Sequence, residues 1–122
     1  MQAVWVEIPV KDLGRALAFY GAVFGLQPTD VADDGARRTT TLVSTSDDGA
    51  AGISLNQTAG FEPSDRGVLV YFDAGEDLTE HLRRVEPAGG KIVEGKTSMG
   101  DAGNYATFRD TEGNLLALYS YR

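Results

Sequence analysis

A carboxylate set in an apolar strand is costly to bury unless something answers its charge, and Glu7, flanked by Val6 and Ile8, is such a carboxylate. Two kinds of chemistry follow. Matched by an arginine from an adjoining strand, with Arg109 and Arg37 as the candidates, Glu7 is half of a structural ion pair. Left unmatched in a cavity, it becomes a general acid/base or the counter-charge for a cationic ligand. Trp5 lies one pleat away on the same strand face and adds an aromatic surface. Its indole N–H, if the ring is ordinary core, should bond to a carbonyl.

Other chemistries are short of residues. There is no cysteine, which removes disulfides, thiol nucleophiles, iron–sulfur clusters and cysteine zinc sites, and fits a cytoplasmic setting. The single histidine, His81, leaves no Ser-His-Asp or histidine-rich metal arrangement. It falls in a helical stretch whose buried stripe is Leu78 and Leu82, and it is expected at the surface, paired with Asp77 four residues back. A formal charge of −7 argues against a nucleic-acid partner. No run approaches the roughly 20 apolar residues of a membrane span. The N-terminal MQAVWVEIPVKD carries no secretory pattern. The glycine-rich turns at 33–35, 47–49 and 100–103 do not join a strand to a helix, so they read as hairpin turns rather than phosphate cradles. Residues Lys96 to Met99 lead into the last of them, either as a mobile cover or as a solvated turn.

The elements that must position Glu7 and Trp5 are legible in the hydropathy pattern. Val4, Val6, Ile8 and Val10 alternate with Trp5, Glu7 and Pro9, a strand with one apolar face. Asp12 stands at a helix N-cap, Leu13, Ala16, Leu17, Tyr20, Val23 and Phe24 follow at helical spacing, and Gly25 ends the helix. Strand-like pieces come next near 27–32, 38–45 and 50–57, with Asp-Gly steps in the turns. After a linker at about 58–66 the order restarts. Val68, Val70 and Phe72 alternate with Gly67, Leu69 and Tyr71. Asp73 then precedes a second helix, with Glu76 and Asp77 in its first turn, Leu78, Leu82 and Val85 as its stripe and Pro87, Gly89 and Gly90 at its end. Strands near 91–97, 103–109 and 114–120 complete the chain. The expectation is an α+β fold of two βαβββ modules, about 1–57 and 67–122, in a single domain. Their sheets curl around an open, barrel-like cavity with the helices outside.

Carried through the strands, the period of two places Trp5, Glu7, Ser54 and Asn56 on the inner wall from module one. Module two contributes Leu69, Tyr71, Tyr105, Thr107 and Tyr119. An aromatic wall with sparse polar anchors suits a small organic ligand. The tyrosines have a plainer use, closing the barrel or meeting a second subunit.

The words EIPVKDLGRALAFYGAVFGL and GNYATFRDTEGNLLALYS, in this order of elements, resemble the vicinal oxygen chelate superfamily. The match lies in Asp12 to Tyr20, Phe24-Gly25, Gly89-Gly90 and the D-x-x-G-N turn at Asp110 to Asn114. That group includes glyoxalase I, extradiol dioxygenases, metal-dependent fosfomycin-resistance enzymes and bleomycin-binding proteins. The resemblance implies a divalent-metal site in the catalytic branches, at places that fall here on Trp5, Ser54, Gly67 and Ala117. None is a His, Glu or Asp, whereas a catalytic zinc needs about three such ligands. No metal or other cofactor is therefore expected. The leading expectation is metal-free binding of a small organic molecule, as in the bleomycin-resistance branch. The alternatives are a metal-independent lyase or isomerase using Glu7, a partner module with a vestigial cavity, and, disfavoured, a metal-dependent enzyme. The resemblance also implies a homodimer.

Overall fold

The structure is a computed structural model that describes residues 1–27, 29–45 and 48–122. Among these residues the elements run β1 (Trp5–Pro9), α1 (Leu13–Phe24), β2 (Ala32–Asp33), β3 (Arg37–Val43), β4 (Gly52–Thr58), β5 (Tyr71–Asp73), α2 (Thr79–Val85), β6 (Lys91–Ser98), β7 (Asn104–Arg109) and β8 (Leu115–Ser120). They form two sheets, ordered β1-β4-β3-β2 and β5-β8-β7-β6. Each opens with a strand parallel to the last strand of its own module, and the other neighbours are antiparallel. The expected α+β repeat is present, and no strand of one sheet pairs with the other among the described residues. The expected turn at 47–49 begins on Asp47, outside the described residues.

Local chemistry accounts for α1. The Asp12 side chain accepts the Arg15 N–H at 3.0 Å, and Gly25 adopts φ 67°, where its N–H reaches back to the Gly21 carbonyl. The buried stripe is Leu13, Ala16, Phe19, Tyr20 and Val23. It packs on the second module as well as its own: Phe19 meets Phe108 at 6.0 Å between ring centroids and Tyr20 meets Phe72 at 6.3 Å. One core cluster thus runs through both modules, from Ile8 and Leu55 to Val85 and Leu118.

The second helix departs from expectation. It begins at Thr79, so Glu76 and Asp77 precede it rather than forming its first turn. The intervening backbone is committed elsewhere: the Leu78 N–H donates to Ser120 Oγ at 3.0 Å and the Arg122 N–H to the Glu76 carbonyl at 2.8 Å. These bonds strap the segment to the C-terminus. Likewise β5 is only three residues long, and Val68, expected on its apolar face, is 92% exposed. Beyond β6, residues Gly100–Ala102 form a 3-10 turn whose Ala102 carbonyl accepts the Tyr119 hydroxyl at 2.6 Å, which ties that loop to β8.

The D-x-x-G-N turn does more than close a hairpin. Glu112, with a wholly buried side chain, accepts the backbone N–H groups of Lys11 and Asp12, both at 2.9 Å, and a two-pronged contact from Arg15 at 2.8 and 3.0 Å. Asp110 accepts the Tyr20 hydroxyl at 2.7 Å, and Asn114 donates to the Pro9 carbonyl at 2.8 Å. Two of the motifs that carry the family resemblance, Asp12 to Tyr20 and Asp110 to Asn114, therefore form a polar clasp between the two modules.

Candidate functional site

The open face of the first sheet carries a cleft of about 300 Å³ lined by Trp5, Glu7, Ala32, Asp33, Asp34, Arg37, Thr39, Thr41 and Ser54. Its floor follows from strand register. Trp5 stands opposite Gly52, and the indole lies over the glycine, where any Cβ would overlap the six-membered ring. The indole N–H donates to Ser54 Oγ at 3.2 Å, a hydroxyl rather than the expected carbonyl, and the residue remains 44% exposed. Gly52→Ala is expected to tip the indole out of this seat, read as a red shift of the tryptophan emission with the fold retained by circular dichroism.

Glu7 stands opposite Ser54. Arg37, one of its two expected partners, donates from Nη2 to Oε1 at 2.9 Å, and Asn56 Nδ2 donates to Oε2 at 3.2 Å. Asn56 is buried, and the Thr58 hydroxyl donating to its amide oxygen at 2.5 Å turns the NH₂ toward Glu7. Arg109, the other candidate, pairs with Asp65 instead at 3.2 Å. Glu7 and Arg37 are both well exposed, with side-chain exposures of 38% and 47%.

Two more carboxylates reach the cleft that hydropathy patterning does not place there. Asp33 ends β2, opposite Arg38 of β3, and Asp34 opens the turn between the two strands. Asp34 accepts the N–H groups of Arg37 at 2.7 Å and Ala36 at 2.9 Å, which hold its carboxyl below the usual carboxylate range. Asp33 accepts from the Gly35 N–H at 2.9 Å and lies 3.5 Å from Arg38. Against three lining carboxylates stands one lining arginine. The readable signal was the DDG step, which looks like turn chemistry alone.

The module-two residues stand on the other sheet and do not line this cleft. Register puts Tyr105 opposite Tyr119, and Thr107 and Tyr71 both opposite Ala117, so they share a face. The Tyr71 and Tyr105 rings lie 6.5 Å apart, and the Tyr105 hydroxyl donates to Glu94 at 3.0 Å. That carboxylate raises the Tyr105 phenol above its ordinary value. Thr107 is buried and accepts the Glu94 N–H at 3.1 Å. Leu69 lies before β5, half-buried. His81 does not pair with Asp77, which is bonded to Lys96 at 3.0 Å; the imidazole rests 5.4 Å from the Phe24 ring. The i, i+4 pairing fails because Asp77 lies outside the helix.

The family model described as the Glyoxalase/Bleomycin resistance protein/Dioxygenase superfamily matches residues 2–118. The chain belongs to this superfamily. A search of the curated proteins found no match. Among solved structures, a glyoxylase/bleomycin resistance protein/dioxygenase domain from Frankia sp. superposes with a TM-score of 0.75 at 18% identity, over 100% of this chain and 98% of that one. A glyoxalase-family protein from Bacillus cereus gives 0.74 at 20%, over 98% and 93%. Glyoxalase I from Zea mays gives 0.71 at 19%, covering 99% of this chain and 44% of that one, so this chain spans about half of the maize enzyme. These likenesses show the fold.

The metal that the catalytic branches of the superfamily imply can be tested against the residues here. Trp5 and Ser54 are bonded to each other, Gly67 lies outside the strands, and Ala117 is a buried methyl in β8. An indole, a hydroxyl, a hydrogen and a methyl do not make a donor set for a divalent cation. Among the described residues no group of three or more His, Cys, Asp and Glu side chains is arranged to hold one. The residues do not fit the metal. No helix among the described residues is long and apolar enough to cross a membrane.

Proposed function

We propose that this superfamily member binds a small organic cation in the Trp5–Glu7 cleft without a metal ion. The observation that carries the reading is an indole face presented beside Glu7, Asp33 and Asp34 in one concave site. A cation gains from the ring quadrupole and from the surrounding carboxylates together. Glu7 already accepts from Arg37 and Asn56. That is the ion pair the sequence offered as its plainer role, and it weighs against the acid/base reading; the cation reading rests on the surplus of lining carboxylates over the one lining arginine. Calorimetric titration with benzyltrimethylammonium tests this. Glu7→Gln is expected to weaken binding about tenfold, roughly 1.4 kcal/mol, because the charge is removed and the shape kept. An unchanged affinity in that variant would reject the role. Without ligand, denaturant unfolding of Glu7→Gln should show less than about 1 kcal/mol of destabilisation, since the Arg37 pair is exposed to solvent.

On the second sheet, Tyr71 is exposed beside the half-buried Tyr105. A two-fold pairing would set one chain's second sheet over the other's first and close both sites. Strands β1 and β5, each at a sheet edge, are where such pairing would also remove exposed backbone. Sedimentation at micromolar concentration is expected to give a dimer, and a stable species at 13.0 kDa would overturn it.

A further inference from the structure

A second cavity lies on the opposite face of the first sheet. Along β4, Ser54 lines the cleft while Ile53 lines this cavity, and along β3 Thr41 and Leu42 divide the same way. Its volume is about 370 Å³, and its walls are chiefly Phe24, Leu42, Ile53 and Phe72, with His81 closing one side. Both modules contribute, since Leu42 and Ile53 belong to the first and Phe72 and His81 to the second.

The histidine gives this apolar space a polarity. Its Nδ1 is sealed from solvent and makes no hydrogen bond among the described residues. A proton placed there would be buried without an acceptor, an arrangement that costs free energy. Burial, and then the nearby Arg84, hold the imidazole below its ordinary pKa, against the opposing pull of Asp73 and Glu80. With Nδ1 sealed in this way, the donor the neutral ring can offer is its Nε2–H. The hydroxyl in the wall, that of Tyr20, is already donated to Asp110. The Asp73 carboxylate in the lining disfavours an anion, and the positive charge of Arg84, which outweighs Asp73 at the imidazole, disfavours a cation beside His81.

We propose that this cavity is a second ligand site, for an uncharged, mainly apolar molecule with one hydrogen-bond acceptor that His81 engages through Nε2. Its chemistry is the complement of the acidic cleft across the sheet, and it stands independently of the cation reading. Because both modules form its walls, an occupant bridges them and stabilises their junction.

Acetophenone, an aromatic ring with one carbonyl acceptor, and ethylbenzene, which has none, are the probes. In methyl-labelled NMR of the full chain, acetophenone should move the Leu42 and Ile53 methyl signals saturably and leave the Trp5 indole N–H in place. Ethylbenzene should bind the same site more weakly. His81→Phe is expected to weaken acetophenone by about tenfold and ethylbenzene by less than about twofold, because only the first loses a hydrogen bond. Ala51→Trp, which fills the space from its rim, should abolish both responses; Ala51 lines the cavity and is only half-buried. Should that variant not fold, the probe ratio in His81→Phe decides alone. Shifts centred on Trp5, no saturable shift at Ile53, or equal loss of both probes in His81→Phe would overturn the proposal.

Discussion

Asp110→Ala is expected to destabilise the protein by about 3–5 kcal/mol, because one carboxylate holds four donors in a site closed to water. Asp110 is 5% exposed and accepts the Tyr20 hydroxyl at 2.7 Å, the Glu112 N–H at 2.8 Å, and the Asn114 N–H and side-chain amide at 3.0 and 2.9 Å. Removing it orphans two backbone donors and a phenol whose burial already pushes its pKa well up. Tyr20→Phe removes only one of these bonds and should cost about 1–2 kcal/mol. Urea unfolding of the two variants measures the difference. Equal effects would mean that the turn does not depend on its carboxylate.

Glu112→Gln should cost about 3 kcal/mol at neutral pH, with a characteristic dependence on acid. Taking the carboxylate out of water pushes its pKa up, but the Arg15 guanidinium, the Asp12 N–H, the Thr111 hydroxyl and the Lys11 N–H outweigh that and bring it from 4.5 down to about 2. A carboxyl depressed on folding contributes stability above its unfolded value. That contribution is lost as pH falls from about 4.5 through about 2. The gap between wild type and Glu112→Gln should therefore be full near pH 6 and narrow steadily below pH 4.5. A gap that stays constant with pH would contradict the assigned ionisation. Because Glu112 and Asp110 share one turn, their double variant should lose less than the two single losses combined.

The architecture was legible because local signals and global packing agree in it: the Asp12 cap, the α1 stripe and the alternation along β1 each fixed an element near its observed bounds. Failures came where a distant partner decided the outcome. Alternation continued back to Val68, yet β5 extends only as far as β8 pairs with it, from Tyr71 to Asp73. Asp77 looked like a helical neighbour of His81, but bonds from residues 120 and 122 delay the start of α2. The turn at 110–114 was readable as a turn. Its bonds to Lys11, Asp12, Arg15 and Tyr20, about a hundred residues away, leave no trace in spacing. For the cleft, Glu7 and Trp5 stood out because a carboxylate and an indole interrupt an apolar strand. Asp33, Asp34 and Gly52 did not, because turn aspartates and a strand glycine have commoner uses.

Trp5 is the single tryptophan of the chain, so its emission reports on the cleft directly. Benzyltrimethylammonium added to the protein in excess EDTA should quench it saturably. Benzyl alcohol, which lacks the charge, should do so only at much higher concentration. Glu7→Gln should shift the cation's curve about tenfold to the right. A response that appears only after zinc, nickel or manganese is restored, or equal quenching by the cation and the alcohol, would contradict metal-free cation binding at this site.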